Sequence, residues 1–236
     1  MSYKETKWTN PGGHAVTIYV HEKFDLARIG EGVHIGEGVR IGDLEHIGEG
    51  AIIGEEVRIG EGAIIGARAS IGDLARIGEW AIIGEGVIIG EEVHIGDLAR
   101  INKEVRIGAR ASIGDLARIG DLARIGKEVR IGEEVLIGEG AIIGARASIG
   151  DLAIIVSNDV CAKPLYMAPL PFGSSNYYIT ATPNYLSIGC ESHTLKEWAE
   201  FDDERISSMD RYALDYWRKA KPIIFELLRG VGFYDA

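Results

Sequence analysis

Isoleucine occupies every sixth position from Ile29 to Ile155, twenty-two times without a slip, and glycine follows it in twenty of those cases; Asn102 and Val156 are the exceptions. A fixed period of this kind is the signature of a solenoid. Six is an even number, so in an extended chain side chains at that spacing stay on one side. Two residues before each isoleucine stands Ala or Val, with Glu45 the only departure. The unit Ile-Gly-x-x-(Ala/Val)-x therefore has two inward positions, a two-residue turn and one outward residue beside the isoleucine.

Stretches such as Ile59-Gly60-Glu61-Gly62-Ala63-Ile64 resemble the hexapeptide repeat of the left-handed parallel β-helix superfamily. The resemblance covers residues 27–156. It implies an all-β solenoid in which three hexads make one triangular coil, giving about seven coils and a prism about 35 Å long at roughly 4.8 Å per stacked strand. The left hand is implied by the resemblance, because parallel crossovers in general favour the right. Family members are usually homotrimers. Many are acyltransferases that use coenzyme A or an acyl carrier protein with a catalytic histidine, and others are zinc carbonic anhydrases with three histidines shared between subunits.

The 236 residues divide into an irregular N-terminal cap (1–26), the prism (27–156) and a C-terminal region (157–236). In the cap, Ala15–Val20 reads as a strand that closes the first coil. Prolines 164, 169 and 171 make 157–174 a linker rather than a ladder strand. Tyr177–Thr182 and Tyr185–Ile188 read as a β-hairpin around Pro183-Asn184. Thr194-Leu195-Lys196-Glu197 is a capping box opening a short helix, and Ser207-Ser208 opens a longer one to about Arg229, with Pro222 expected to kink it. The net charge of −11 argues against a nucleic-acid partner. With no apolar run of membrane-spanning length, and two cysteines, Cys161 and Cys190, read as free thiols, a cytoplasmic protein is expected.

Residues eighteen apart should stack. One corner then carries Leu44, Gly62, Trp80, Leu98, Leu116, Glu134 and Leu152, flanked by His46, Ile64, Ile82, Arg100, Arg118, Leu136 and Ile154. A monomer rarely exposes so long an apolar ridge. Two partners suit it: the same ridge on two other chains, which is the favoured reading, or the chain's own C-terminal helix. A second outward column, Arg40, Arg58, Arg76, His94, Ser112, Arg130 and Ser148, has no apolar member and is expected to face water, each arginine neutralised by an acid three residues on. Its arginines are alternatively an anion-binding track. The third column (His34, Ile52, Ser70, Ile88, Arg106, Arg124, Ile142) is mixed.

Catalysis finds little support. The prism histidines His34, His46 and His94 have phases on three different faces, no loop interrupts a hexad, and Gly-Ala-Arg-Ala-Ser-Ile-Gly-Asp-Leu recurs at 66–74, 108–116 and 144–152, whereas an active site needs unique residues in one place. No metal site and no cofactor are expected. Glu45 points inward with Ala27 and Ala63 expected below and above; a buried carboxyl is costly and its pKa raised, and with His46 beside it an acid–base pair is conceivable. Replacing Glu45 by Ala is expected to stabilise the prism. Cys190 and His193 have the spacing of half a zinc site or of a nucleophile with its base. The run from Ile188 to Trp198 loosely resembles segments that follow repeat domains in phage and prophage proteins. The favoured function is a trimeric, non-catalytic scaffold, or a protein that sequesters or displays a small anionic ligand or protein partner; the alternatives are an acyltransferase-like enzyme binding coenzyme A between subunits and a small-anion or nucleotide sponge.

Overall fold

The computed structural model describes residues 2–161, 165–167 and 177–234. Two-residue rungs recur every six residues from His34–Ile35 to Ile154–Ile155 and stack in three parallel sheets, each rung pairing with those eighteen residues away, as Arg76 does with Arg58 and His94. Every repeat isoleucine is at most 9% exposed and, with the Ala/Val partners from Val33 on, lines one continuous core.

The repeating glycine answers a steric demand. A Cβ on Gly36 would lie 2.6 Å from the backbone of Glu55, and one on Gly66 2.5 Å from that of Gly84. Neighbouring coils touch there through bare backbone. Val156 escapes the rule because no rung stacks on Ile154–Ile155 among the described residues. The turns impose a second demand. The fourth residue of each hexad, counted from its isoleucine, has positive φ in all twenty-two hexads from Gly32 to Asn158, and sixteen of these residues are not glycine. Each such residue in left-handed conformation costs roughly 1 kcal/mol or more. The turns bond coil to coil, as when Leu74 N donates to Glu55 O at 2.9 Å. Aspartate at the first turn position adds a second link: Asp73, Asp97, Asp115, Asp121 and Asp151 each accept from the backbone N–H eighteen residues earlier, at 2.8–3.0 Å.

The stack has eight levels rather than seven. Strand β2 (Ala15–His21) supplies the first rung of one sheet by pairing Tyr19–Val20 with Arg40–Ile41; Ile29 bridges Ile47 in the second; Val160–Cys161 ends the third. The N-terminal residues are not irregular. Strand β1 (Tyr3–Thr9) pairs antiparallel with β2. The amide of Asn10, just past β1, takes the place of a missing coil by accepting from Ile35 N at 2.8 Å and donating to Ile35 O at 2.9 Å.

The C-terminal unit is an antiparallel sheet of Leu165–Met167, Ile179–Ala181, Tyr185–Ile188 and Glu191–Thr194, followed by helices α1 (Leu195–Glu200), α2 (Asp203–Ser207) and α3 (Ala213–Gly230). The hairpin around Pro183-Asn184 and the Thr194/Glu197 capping box form as the sequence indicates. Three features differ. Strands occupy Val160–Cys161 and Leu165–Met167 inside the expected linker; Glu191–Thr194 is a further strand; and the long helix starts at Ala213, because Asp202 caps a separate turn at Asp203–Ser207. Helix α3 runs through Pro222 without interruption. Its buried face (Tyr216, Trp217, Ala220, Ile224, Phe225, Leu228) packs with Ile179, Leu186, Leu195 and Trp198 in a core separate from that of the prism.

Glu45 is the one charged residue among the inward positions of residues 27–156. It is 0% exposed, and neither carboxyl oxygen has a hydrogen-bond partner. Ala27 does not lie beneath it as the repeat suggests, since Leu26–Arg28 form a 3₁₀ turn in which Ala27 is exposed; Phe24, 5% exposed, joins the core at that end instead. Burial pushes the carboxyl up from 4.5 to about 8, opposed in part by the backbone N–H groups of Glu45 and Gly42 and aided by the charges of Asp43 and Glu61.

Two outcomes follow from this packing. A raised folded pKa means that the native state holds the proton more tightly than the unfolded chain does, so stability is full below about pH 4.5 and lost as pH rises towards about 8. The loss, on the order of a few kcal/mol, should appear as a falling urea midpoint between about pH 5 and 8, and Glu45→Gln should flatten that profile; an unchanged profile would mean that Glu45 keeps a compensating partner. Separately, deletion of residues 109–126 removes one coil and should leave a folded prism with all columns in phase. Deletion of 109–114 shifts every later residue to the next face, so circular dichroism and hydrodynamic size should separate the two variants.

Candidate functional site

The prism surface consists of columns. Strand pairing sets His46, Ile64, Ile82, Arg100, Arg118, Leu136 and Ile154 side by side, with the corner column of Leu44, Gly62, Trp80, Leu98, Leu116, Glu134 and Leu152 just before them. At this corner five of seven residues are Leu or Trp, whereas the equivalent columns at the other corners hold one leucine each, Leu74 and Leu122. Leu44, Trp80, Leu98, Leu116 and Leu152 are 37–50% exposed, with Ile64 exposed and Ile82 and Ile154 half-buried. The column is continuous across its glycine, because the Trp80 ring covers Gly62, where a Cβ would meet ring carbons at 2.5–2.7 Å. Leucine and tryptophan in left-handed conformation add a backbone cost that glycine would not, a cost that the Glu and Arg residues at the other corners bear as well.

The arginine column forms as expected on a second sheet, with Arg40, Arg58, Arg76 and Arg130 all exposed. The expected neutralisation by the acids three residues on does not occur. Among the described residues none of these four arginines has a carboxylate within 4.0 Å, and Asp43 instead lies 3.8 Å from His21. Glu61 and Glu79 line a shallow cleft with Arg40 and Arg58 without coming within ion-pair distance of either. Arg58, Arg76 and His94 line a shallow cleft with Glu56 and Glu92, so the acids nearest in that cleft belong to the preceding corner. The ion pairs that do form are at corners: Arg68 with Glu85, and Arg110 and Arg146 with Glu128 at 3.3 and 3.4 Å. Being exposed, each contributes at most about 1 kcal/mol.

Strand alternation separates Glu45, which is inside, from His46, which is exposed on the outer face. The two cannot act as a pair. His34, His46 and His94 fall on three different sheets. In the C-terminal unit, Cys190 is an exposed free thiol at a turn, while His193 Nε2 bonds Glu191 Oε2 at 2.9 Å and its ring packs edge-on against Trp198 and Phe201. His193 is thus engaged away from the thiol. Among the described residues no group of three His, Cys, Asp or Glu is placed to hold a metal ion, and no helix is long and apolar enough to cross a membrane.

One feature escaped the sequence reading. The end of the hairpin, α2 and the start of α3 surround a cavity of about 100 Å³ with Tyr177, Trp198, Tyr216 and Trp217 among its walls. These residues are up to forty positions apart and obey no repeat, so no periodic signal marks them.

Residues 17–105 match the family described as the GMPPB C-terminal domain. No protein of curated function matches the sequence. Among solved structures, LpxA from Acinetobacter baumannii is 20% identical, with 67% of this chain and 72% of that one covered and a TM-score of 0.53. The perosamine N-acetyltransferase from Caulobacter crescentus, solved with CoA and GDP-perosamine, is 25% identical over 52% of this chain and 54% of its own length, at a TM-score of 0.39. An Arabidopsis UDP-N-acetylglucosamine acyltransferase is 20% identical over 62% and 60%, at 0.40. The six-residue period, the three stacked parallel sheets and the likeness to LpxA give this chain the left-handed β-helix fold of the hexapeptide-repeat superfamily.

Proposed function

We propose that the chain is a non-catalytic homotrimeric scaffold, closed through the Leu44–Leu152 corner, that carries its C-terminal units at one end of the prism. The observation that bears most weight is the concentration of exposed Leu and Trp at one corner, in a backbone conformation that favours glycine. The competing partner for that ridge, the apolar face of α3, is already packed in the C-terminal core. A scaffold also accounts for rungs that run without an inserted loop and for near-identical coils. The match to a C-terminal domain, rather than to an enzyme as a whole, supports an accessory role.

Burying each Leu or Ile of the ridge contributes about 1.5–3 kcal/mol. The double substitution Trp80→Glu with Leu98→Glu places unpaired charges in the contact and is expected to yield monomers by light scattering; a fully retained trimer would remove the corner from the interface.

An acyltransferase reading draws on the likeness to LpxA, which at this identity is one of fold. Such an enzyme must hold a base, an acceptor and a thioester together in a water-poor cleft, whereas here each prism histidine stands exposed on its own flat sheet. The expected outcome is no release of free thiol from acetyl coenzyme A above background with sugar, amine or antibiotic acceptors. Turnover that disappears on substitution of His34, His46 or His94 would reverse the choice.

A further inference from the structure

The cavity in the C-terminal unit has a composition that a scaffold does not require. Tyr177 and Tyr216 meet edge to face with centroids 4.9 Å apart, and Trp198 and Trp217 lie 4.9 Å apart at 44°. The two tryptophans are 3% and 4% exposed, and the Trp198 indole is locked by donation to Leu186 O at 2.6 Å. Glu191 and Asp210 are the only charged residues in the lining, so among the described residues the cavity has two acids and no base.

The two acids are not equivalent. Glu191 is shared between His193 at 2.9 Å and Arg205 at 4.0 Å. Asp210 has no cationic side chain within 4.0 Å among the described residues. It accepts from the Tyr177 hydroxyl at 2.6 Å and from Tyr212 N at 2.8 Å, and these bonds hold its carboxyl below the usual range. A solvent-exposed carboxylate with no cationic partner among the described residues thus stands at the rim of an aromatic-walled cavity. Aromatic faces carry negative charge density and attract cations, most strongly those whose water is easily removed. An engineered apolar cavity of about 150 Å³ takes up benzene, so the space of about 100 Å³ here has room for roughly four heavy atoms, the size of a trimethylammonium head.

We propose that this cavity binds a small methylated ammonium group, with Tyr177, Trp198, Tyr216 and Trp217 as its walls and Asp210 as its counter-charge. The inference rests on the C-terminal unit alone and stands or falls independently of the trimer. The requirement for positive charge separates it from a plain apolar pocket.

The test is titration of the full-length protein with choline, tetramethylammonium and 3,3-dimethylbutan-1-ol, the uncharged carbon isostere of choline, followed by tryptophan fluorescence and calorimetry. Saturable binding of the cations, with the isostere about tenfold weaker or more, is expected. Asp210→Asn, which keeps an acceptor for Tyr177 while removing the charge, and Tyr177→Leu should each weaken binding about tenfold without changing the circular dichroism. The blocked amide of trimethyl-lysine, run alongside, separates a modified side chain from a free metabolite, and binding of either supports the proposal. Equal binding of choline and its isostere, or no binding of any cation at tens of millimolar, overturns it. Because the comparison of choline with its isostere is made on the unaltered protein, the result is decisive even if both variants misfold.

Discussion

The backbone contact between successive coils is the constraint on which everything else depends. Each rung is two residues long and has its partners eighteen residues away above and below. Coils therefore approach until Cβ atoms have no room after the isoleucine, which is why glycine recurs there. Three corners per coil must turn within two residues, which is why one residue in six accepts a left-handed conformation. The stability of such a stack is a sum over neighbouring coils. Isoleucine and alanine or valine fill the interior at every level except that of Glu45.

That uniformity directs function outward and towards the ends. A flat sheet with one exposed side chain per rung offers columns, and a column gains a property only when the same chemistry repeats up the stack. The Leu44–Leu152 corner does this with apolar groups. The arginine column does it with charge, but intermittently, since His94, Ser112 and Ser148 interrupt it. Continuity is what distinguishes the two: the Trp80 ring spans the level where the corner has glycine, which leaves Glu134 as its single polar break, whereas three residues break the arginine column.

The prism was legible in the sequence almost residue by residue, because its period reports directly on which way each side chain points. The columns, the inward Glu45 and the exposed histidines all follow from counting in sixes and eighteens. What lay outside the period was harder to read. Strand β1 has the sequence Tyr-Lys-Glu-Thr-Lys-Trp-Thr, whose charges suit a solvated edge and conceal a strand. Ala27 keeps the phase of the repeat yet leaves it, because Asp25 accepts from Ala27 N and starts a 3₁₀ turn. The aspartate links between coils were hidden because the hydrogen bond runs to a backbone group eighteen residues away. Asp202 caps a separate short helix, Asp203–Ser207, so the long helix expected from Ser207-Ser208 begins only at Ala213. The aromatic cavity could not be foreseen at all, since it is made by tertiary packing of residues from the hairpin, the short helices and α3.

Among the described residues, side-chain hydrogen bonds link the two cores at two points. Ser187 Oγ donates to Ile154 O at 3.3 Å, and Asn184 Nδ2 donates to Asp159 Oδ1 at 3.2 Å. Asp159 is 1% exposed and also accepts through its backbone from Ile142 N, so among the described residues a buried acid on the last rung ties the two parts together, and their apolar cores are separate. This arrangement lets each part obey its own rules. The prism can gain or lose coils in steps of eighteen residues without disturbing the packing around Trp198 and Trp217. The C-terminal unit can shape a cavity from unrelated side chains because it carries no repeat that must be satisfied on both sides. Chemical individuality in this molecule therefore belongs to the irregular part, and the regular part determines how far from the N-terminal hairpin, and at what angle around the prism axis, it is held.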